Sequence, residues 1–388
     1  TDMVETLYVN NHVAGQNIGT RSINANAGTN YYFTIGGCVW HFEGGFFTGL
    51  IDDVAVFPTA LTSDDISLLY NVGKFGPGAA PEIEVQPIGA ELYSNNGTYR
   101  FSVTALGTPP FQVSWYKDGE LTSYSGEVVE IARTAENAGS WTAKVTNAYG
   151  EAISEPAVIS YKAPSSNYEA LIASLDPWVY WRLGEAPGAA FAAEYGHGIP
   201  APYTTNNVLG LDGAIMNDPD TAISFTGALP GTAEFSTIVV PNIGVGTVSE
   251  ASLLCWVKRD GNQANYTPLV FGRGGAVSGL NIRENNQLGY HWNDQSFSWG
   301  YVSGLTLEDG EWNLAVLVVT PTTVTFYLGD SEGTLSNASN EQAHGPTVFT
   351  TNFSLGGQNV SNSNRQFKGL LDEPAVFNYA LTAEQVQA

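Results

Sequence analysis

The first 75 residues of this chain repeat its last 65, and that repeat constrains the fold more than any other feature. Thr6-Leu7-Tyr8-Val9 returns as Thr325-Phe326-Tyr327-Leu328, and Phe33-Thr34-Ile35-Gly36-Gly37 returns as Phe353-Ser354-Leu355-Gly356-Gly357. Gly49-Leu50-Ile51-Asp52-Asp53-Val54-Ala55-Val56-Phe57 returns as Gly369-Leu370-Leu371-Asp372-Glu373-Pro374-Ala375-Val376-Phe377. The offset stays at 319 or 320 positions through all three blocks. A period this long exceeds one ordinary domain, so the repeating unit holds about two of them. The chain starts inside that unit. It is therefore expected to be a piece of a longer array, or to be completed by another chain.

The local pattern is that of strands. Short runs rich in Val, Ile, Thr, Tyr, Phe and Trp alternate with Gly, Asn, Asp and Pro, which predicts an all-β fold of packed sandwiches. Residues 312–319 and 323–328 flank Thr320-Pro321-Thr322 and predict a hairpin. Helical signals are few. Thr382 and its copy Thr62 stand three residues before Gln385 and Asp65; Gln completes a capping box and Asp approximates one. Residues 168–174 are a third helix candidate. The Gly/Pro-rich stretch 74–81 and the stretch 162–167 read as linkers, dividing the chain into segments 1–75, 82–162 and 167–388.

Charge and cysteine narrow the partners. The chain carries 14 Lys+Arg against 38 Asp+Glu, a net charge of −24. Nucleic acid needs cationic neutralisation of its phosphates and is excluded as a partner on this balance. An anionic membrane surface is disfavoured for the same reason. No apolar run is long enough to span a bilayer. The two cysteines, Cys38 and Cys255, do not align under the repeat, so no disulfide framework is expected. Cys255 sits in Leu253-Leu254-Cys255-Trp256-Val257, which reads as a buried strand.

The middle segment holds Phe111-Gln112-Val113-Ser114-Trp115-Tyr116-Lys117-Asp118-Gly119 and, later, Asn137-Ala138-Gly139-Ser140-Trp141-Thr142-Ala143. It resembles an immunoglobulin-like domain of the intermediate type. The resemblance makes Trp115 the tryptophan packed between two sheets. It also puts Trp141 at the tyrosine-corner position, and Val103 and Ala143 where the family has cysteines. The implied role is a spacer, with a binding module as the alternative.

The third segment contains Trp178-Val179-Tyr180-Trp181-Arg182-Leu183, then Phe225-Thr226-Gly227, Cys255-Trp256-Val257-Lys258, Glu311-Trp312-Asn313-Leu314 and Gly369-Leu370-Leu371-Asp372-Glu373. This order resembles the laminin G-like, concanavalin A-like jelly roll of large extracellular bacterial proteins. Residues 1–75 then match the C-terminal part of a second copy. A jelly roll interleaves its strands, so such a part alone leaves open edges and is expected to be unstable.

The same resemblance implies calcium as cofactor. Asp372 and Glu373, with their repeats Asp52 and Asp53, fall at the family's Gly-x-Ile-Asp-Glu position; the alternative role is to fix the last strand by hydrogen bonds. Phe225-Thr226-Gly227 departs from the family's Phe-Asp-Gly. Asp212, Asp218 and Asp220 are further oxygen donors that also serve as turn formers. For glycans, Tyr290, Trp292, Trp299 and Tyr301 lie on two β-like runs and offer an aromatic platform, or else belong to the core. Catalysis finds no signature: no strand carries alternating glycosidase acids, no histidine pair has metal spacing, and Glu308, Asp309 and Glu311 belong to a solvated turn.

Together these features predict a non-enzymatic segment of a secreted or cell-surface protein with an adhesion or scaffold role. One alternative is a glycan-binding module accessory to an enzyme. Another is the subunit of an extracellular filament, a homopolymer in which a neighbouring chain completes the N-terminal jelly roll.

Overall fold

The hairpin predicted around Thr320-Pro321-Thr322 forms because its flanking residues alternate cleanly. Asn313–Val319 pairs antiparallel with Thr323–Gly329, from Leu314 opposite Gly329 to Val319 opposite Val324. Such strands dominate the computed structural model, which describes residues 3–19, 34–37, 46–94, 97–240, 242–274, 276–349, 351–360 and 363–388. The chain forms two compact units. One comprises residues 1–85, 104–114 and 144–153; the other comprises residues 86–103, 115–143 and 154–388.

In the first unit, Met3–Val9 and His12–Gly19 form a hairpin. Its turn residues Asn10 and Asn11 both adopt positive φ, as a tight two-residue turn requires and asparagine tolerates. Helix Ser63–Phe75 is closed by a full capping box: the Thr62 hydroxyl accepts from the Asp65 N–H at 3.1 Å, and the Asp65 carboxylate accepts from the Thr62 N–H at 2.9 Å. Asp65 thus does what the longer Gln385 does in the second copy, where Thr382 and Gln385 cap helix Ala383–Gln387. Asn147 donates its amide to the Ala79 and Thr108 carbonyls, each at 2.8 Å, and fixes the Gly/Pro-rich stretch.

Residues 50–57 form no strand there, although their repeat forms strand Lys368–Phe377. Leu50 is 98% exposed and Val56 73%, whereas Leu371, Val376 and Phe377 are buried. The local backbone nonetheless repeats: Asp53 has φ 47° and its counterpart Glu373 has φ 54°.

The second unit contains an all-β jelly-roll sandwich. One sheet runs Leu211–Asp212, Thr221–Thr226, Lys368–Phe377, Ala251–Arg259, Asn313–Val319, Thr323–Gly329, Leu335–Glu341, with Val179–Tyr180 added to the last strand of the sequence. The other runs Ile238–Val240, Thr351–Leu355, Thr267–Gly274, Ser278–Ile282, Leu288–His291. Both contribute inward side chains to one core, among them Leu253, Cys255 and Phe326 from the first sheet and Leu280, Tyr290 and Phe353 from the second. Each fully buried aliphatic or aromatic side chain of this kind contributes about 1.5–3 kcal/mol. Cys255 is buried and unpaired as its apolar run predicts, while Cys38 lies outside the described residues.

The outward face of the first sheet is also covered. Ile172 and Ala173 of helix Asn167–Ser174 pack there with Tyr180, Leu254, Val316, Ala375 and Phe377. In the same unit Trp115 and Trp141 are fully buried, and Phe101 packs against both rings at 4.9 and 5.4 Å. The Trp141 indole N–H donates to the Asn137 carbonyl at 3.0 Å. Val103 and Ala143 are buried beside them, so packing alone closes this region.

Candidate functional site

Strand Lys368–Phe377 reads Leu371-Asp372-Glu373-Pro374, and both acids end up buried. The left-handed backbone at Glu373 explains how. It interrupts the pairing with Ala251–Arg259, whose register slips between Leu254 and Trp256. A bulge of this kind breaks the alternation that would otherwise send neighbouring side chains to opposite faces.

Arg182 meets these acids. Its Nε and Nη2 donate to Glu373 Oε1 at 2.9 and 2.6 Å, and Nη2 donates to Asp218 Oδ2 at 2.7 Å. Nε faces Asp220 Oδ2 at 3.2 Å without hydrogen-bond alignment, and Nη1 lies 3.1 Å from Glu169 Oε2. The Tyr180 hydroxyl donates to Glu373. Glu169 further accepts from Tyr93, Lys162 and Ser165. Asp372 accepts from the Ala214 N–H at 2.8 Å through Oδ2, while its Oδ1 has no partner.

The charge of this cluster does not balance. Five carboxylates (Glu169, Asp218, Asp220, Asp372 and Glu373) face two cations, Arg182 and Lys162. Burial opposes ionisation of Glu169, but bonds from Lys162, Ser165 and Tyr93 outweigh it and hold its pKa at about 2. Burial pushes Asp220 up to about 6 despite Arg182. Burial also raises Asp372 to about 7, with Asp220 adding to the shift, and raises Glu373 next to it. A carboxylate oxygen from each of Asp220, Asp372 and Glu373 lies within 4.8 Å of the other two. Protons or a hard cation taken up by the group would relieve its surplus charge. Oxygen donors of this kind, with Asp220 Oδ2 and Asp372 Oδ1 both without a hydrogen-bond donor among the described residues, fit Ca²⁺ in kind.

The loop that supplies Asp218 and Asp220 also walls an open groove. Ala214 is anchored on Asp372, and the Asp220 N–H donates to Asp218 Oδ1 at 3.0 Å. The groove, about 820 Å³, is lined by Tyr168, Trp256 and Trp312, with Asn217, Glu311 and Asp330 among its polar groups. Its volume lies within the range of small-molecule sites. Tyr168 and Trp256 meet edge to face at 6.3 Å. Ser165, on the rim, donates to Glu169 and accepts from Arg182.

The sequence-derived candidates are distributed unevenly. Asp372 and Glu373 lie in the carboxylate cluster. Asp52 and Asp53 are exposed, and no third acid, cysteine or histidine joins them in a metal-holding group among the described residues. Asp218 and Asp220 join the cluster, whereas Asp212 is exposed. The aromatic platform does not form. Tyr290 and Trp292 are fully buried and present no ring face to solvent. Residues 297–301 are not a strand: Trp299 ends a one-turn helix, Ser296–Trp299, and is 37% exposed. Tyr301 stacks on Phe326 instead. The groove's Tyr168, Trp256 and Trp312 escaped the sequence because they come from three distant segments. Arg182 left a signal, being the only Lys or Arg between Lys162 and Lys258, inside the apolar run Val179-Tyr180-Trp181-Arg182-Leu183.

The sequence model of the concanavalin A-like lectin/glucanases superfamily matches residues 4–67 and 232–387, more than half of the chain. The chain belongs to that superfamily. Each matched stretch contains most of one copy of the repeat, and the second includes Asp372 and Glu373. Arg182, Glu169, Asp218 and Asp220 lie outside the matched stretches. No curated protein sequence matches the chain. Among solved structures, domain 4 of AbnA, an extracellular arabinanase from Geobacillus stearothermophilus, in complex with arabinotriose, is 19% identical over 55% of this chain and 97% of that one, with a TM-score of 0.35. Trypanosoma rangeli sialidase in complex with sialic acid is 10% identical over 74% of this chain, which spans 46% of the sialidase, with a TM-score of 0.43. Titin M4 is 22% identical over 22% of this chain and 98% of that one, with a TM-score of 0.20. At these values the three likenesses carry no argument of their own.

Proposed function

We propose that this concanavalin A-like chain is a non-enzymatic, extracellular binding segment whose C-terminal sandwich takes neutral glycans in the Tyr168 groove. The observation that carries the reading is the lining of that groove. Three aromatic rings stand beside acids and amides, the combination that stacks the apolar face of a sugar while binding its hydroxyls. In this reading Ca²⁺ is held by Asp220, Asp372 and Glu373 and fixes the loop at Ala214 that walls the groove. The middle segment acts as an immunoglobulin-like spacer, in keeping with adhesion or scaffolding.

The test is calorimetric titration with neutral oligosaccharides. Trp312→Ala is expected to raise Kd at least tenfold, about 1.4 kcal/mol, with an unchanged melting temperature. Calcium chelation is expected to weaken binding as well. Equal affinity of Trp312→Ala and the parent chain for every saccharide bound would overturn the reading.

A second reading is favoured by the exposed apolar strip at residues 50–57. Its repeat counterpart is a central strand, so the strip is built to be paired, and a neighbouring copy that supplies strands would give a filament. Light scattering decides it: a mass well above one chain supports completion between copies, and a monomer at all concentrations rejects it.

A further inference from the structure

The second sheet turns a different chemistry outward. Tyr290 and Trp292, Leu280 and Ile282, and Phe353 and Leu355 point into the core. Alternation therefore sends His291, Asn281 and Ser354 to the opposite face. Near them lies a pocket of about 110 Å³, lined by Arg273, Asn352, Ser354, Gln358, Asn359 and Val360. No carboxylate lines it, in a chain with 38 acidic residues. Arg273 makes no ion pair or hydrogen bond among the described residues. Gln358 is only 3% exposed; its carbonyl oxygen accepts from the Ser363 hydroxyl at 3.1 Å, and its amide nitrogen has no acceptor among the described residues. A buried donor left without an acceptor is costly, and so is rare unless something completes it.

The surroundings reinforce the positive field. Arg283 and Arg365 both lie 4.8 Å from the centre of the Tyr266 ring, and Arg365 has no carboxylate partner among the described residues. Burial first, then the charges of Arg365, Arg273 and Arg283, hold His291 in its neutral form. Arg283 is paired with Glu284 at 3.4 Å, but Arg273 and Arg365 have no carboxylate partner among the described residues, and guanidinium charge of this kind attracts and orients anions.

We infer that this pocket binds the carboxylate of an acidic saccharide, with Arg273 as its charge partner and the Gln358 amide as a second donor. A guanidinium presents paired N–H groups that match a carboxylate. Asn352, Asn359 and the Ser354 hydroxyl supply the neutral polar groups that a sugar ring needs beside it. The pocket shares no residue with the Tyr168 groove, so its test is read separately from that of the proposed function.

The experiment titrates the full chain with glucuronic acid, glucose, inorganic sulfate and triglutamate, followed by calorimetry and ligand-observed NMR. Glucuronic acid is expected to bind, with an affinity that falls as salt rises. Arg273→Gln is expected to weaken it more than tenfold, and Arg273→Lys to retain part of it. Trp312→Ala is expected to leave it unchanged. The inference is overturned if Arg273→Gln binds glucuronic acid as the parent does while melting at the same temperature. Glucose binding as tightly at the pocket overturns it too, as does an equal response to triglutamate, which would mark a charge trap without sugar recognition. Sulfate binding more tightly than glucuronic acid would reject the carboxylate assignment. If Arg273→Gln does not fold, Gln358→Leu serves, since it removes the second donor and is expected to weaken glucuronic acid binding.

Discussion

At the scale of single residues, Arg182 matters most. It is 5% exposed and touches four of the five acids around it. Removing one partner of a buried ionic network leaves uncompensated charge and costs about 3–5 kcal/mol. Arg182→Met is therefore expected to lower the unfolding free energy measured by urea titration by that amount, and added calcium to restore part of the loss; an unchanged unfolding free energy would mean that the carboxylates are already neutral. His291 makes a second case. It is buried, its Nδ1 lies 2.8 Å from the Asn281 amide, and Tyr266 and Phe271 meet its ring edge-on. Burial, then Arg365, Arg273 and Arg283, depress its pKa from 6.5 to about 3. The unfolded chain then binds the extra proton below pH 6.5. The stability this residue contributes is complete above pH 6.5 and is lost as pH falls toward 3. Between pH 6.5 and 5 the loss amounts to about 2 kcal/mol. Thermal melts over that interval are expected to fall less steeply for His291→Gln than for the parent. Parallel curves would refute the assignment.

At the scale of elements, two local devices build the site. The bulge at Glu373 turns two consecutive acids inward, and the positive φ that recurs at Asp53 shows that this backbone habit travels with the repeat. Helix Asn167–Ser174 brings Tyr168 to the groove and Glu169 to Arg182, and its start is fixed by the Ser166 hydroxyl accepting from the Glu169 N–H at 3.1 Å. Loss of such a cap costs about 1 kcal/mol. Ser166→Ala is thus expected to lower stability by that much and, by loosening Tyr168, to weaken saccharide binding in the groove; a drop in stability with intact binding would separate the helix from the site. The helix itself was legible, because its residues follow a linker and carry an acid in the first turn. The one-turn helix Ser296–Trp299 was not. Four residues give too short a window for periodicity to tell helix from strand, and aromatic composition suggests strand.

At the scale of the whole molecule, the repeat gives one sequence pattern two outcomes. Residues 369–377 are a central strand, paired with Ala251–Arg259 and Thr221–Thr226, whereas residues 50–57 leave Leu50, Val54 and Val56 exposed. The same side chains release or retain free energy according to whether neighbouring strands are present. Val56→Glu is expected to shift the scattering mass toward one chain, since it charges the face a second copy would cover. An assembly that survives the substitution would place its interface elsewhere.

What the sequence determined by itself is what short-range physics governs. Alternation set the strands, capping pairs set the helix starts, and the order of motifs from residue 167 onward carried the resemblance to the superfamily; the pair Asp372-Glu373 was visible as a candidate because it falls at that family's Gly-x-Ile-Asp-Glu position. Tertiary structure decided which side chains meet. It joined Glu169, Arg182, Asp220 and Glu373 across some 200 positions of chain, buried Tyr290 and Trp292, and gathered Tyr168, Trp256 and Trp312 around a groove. Those meetings depend on long-range pairing and on which face of a sheet is covered, and neither is written in any local window of residues.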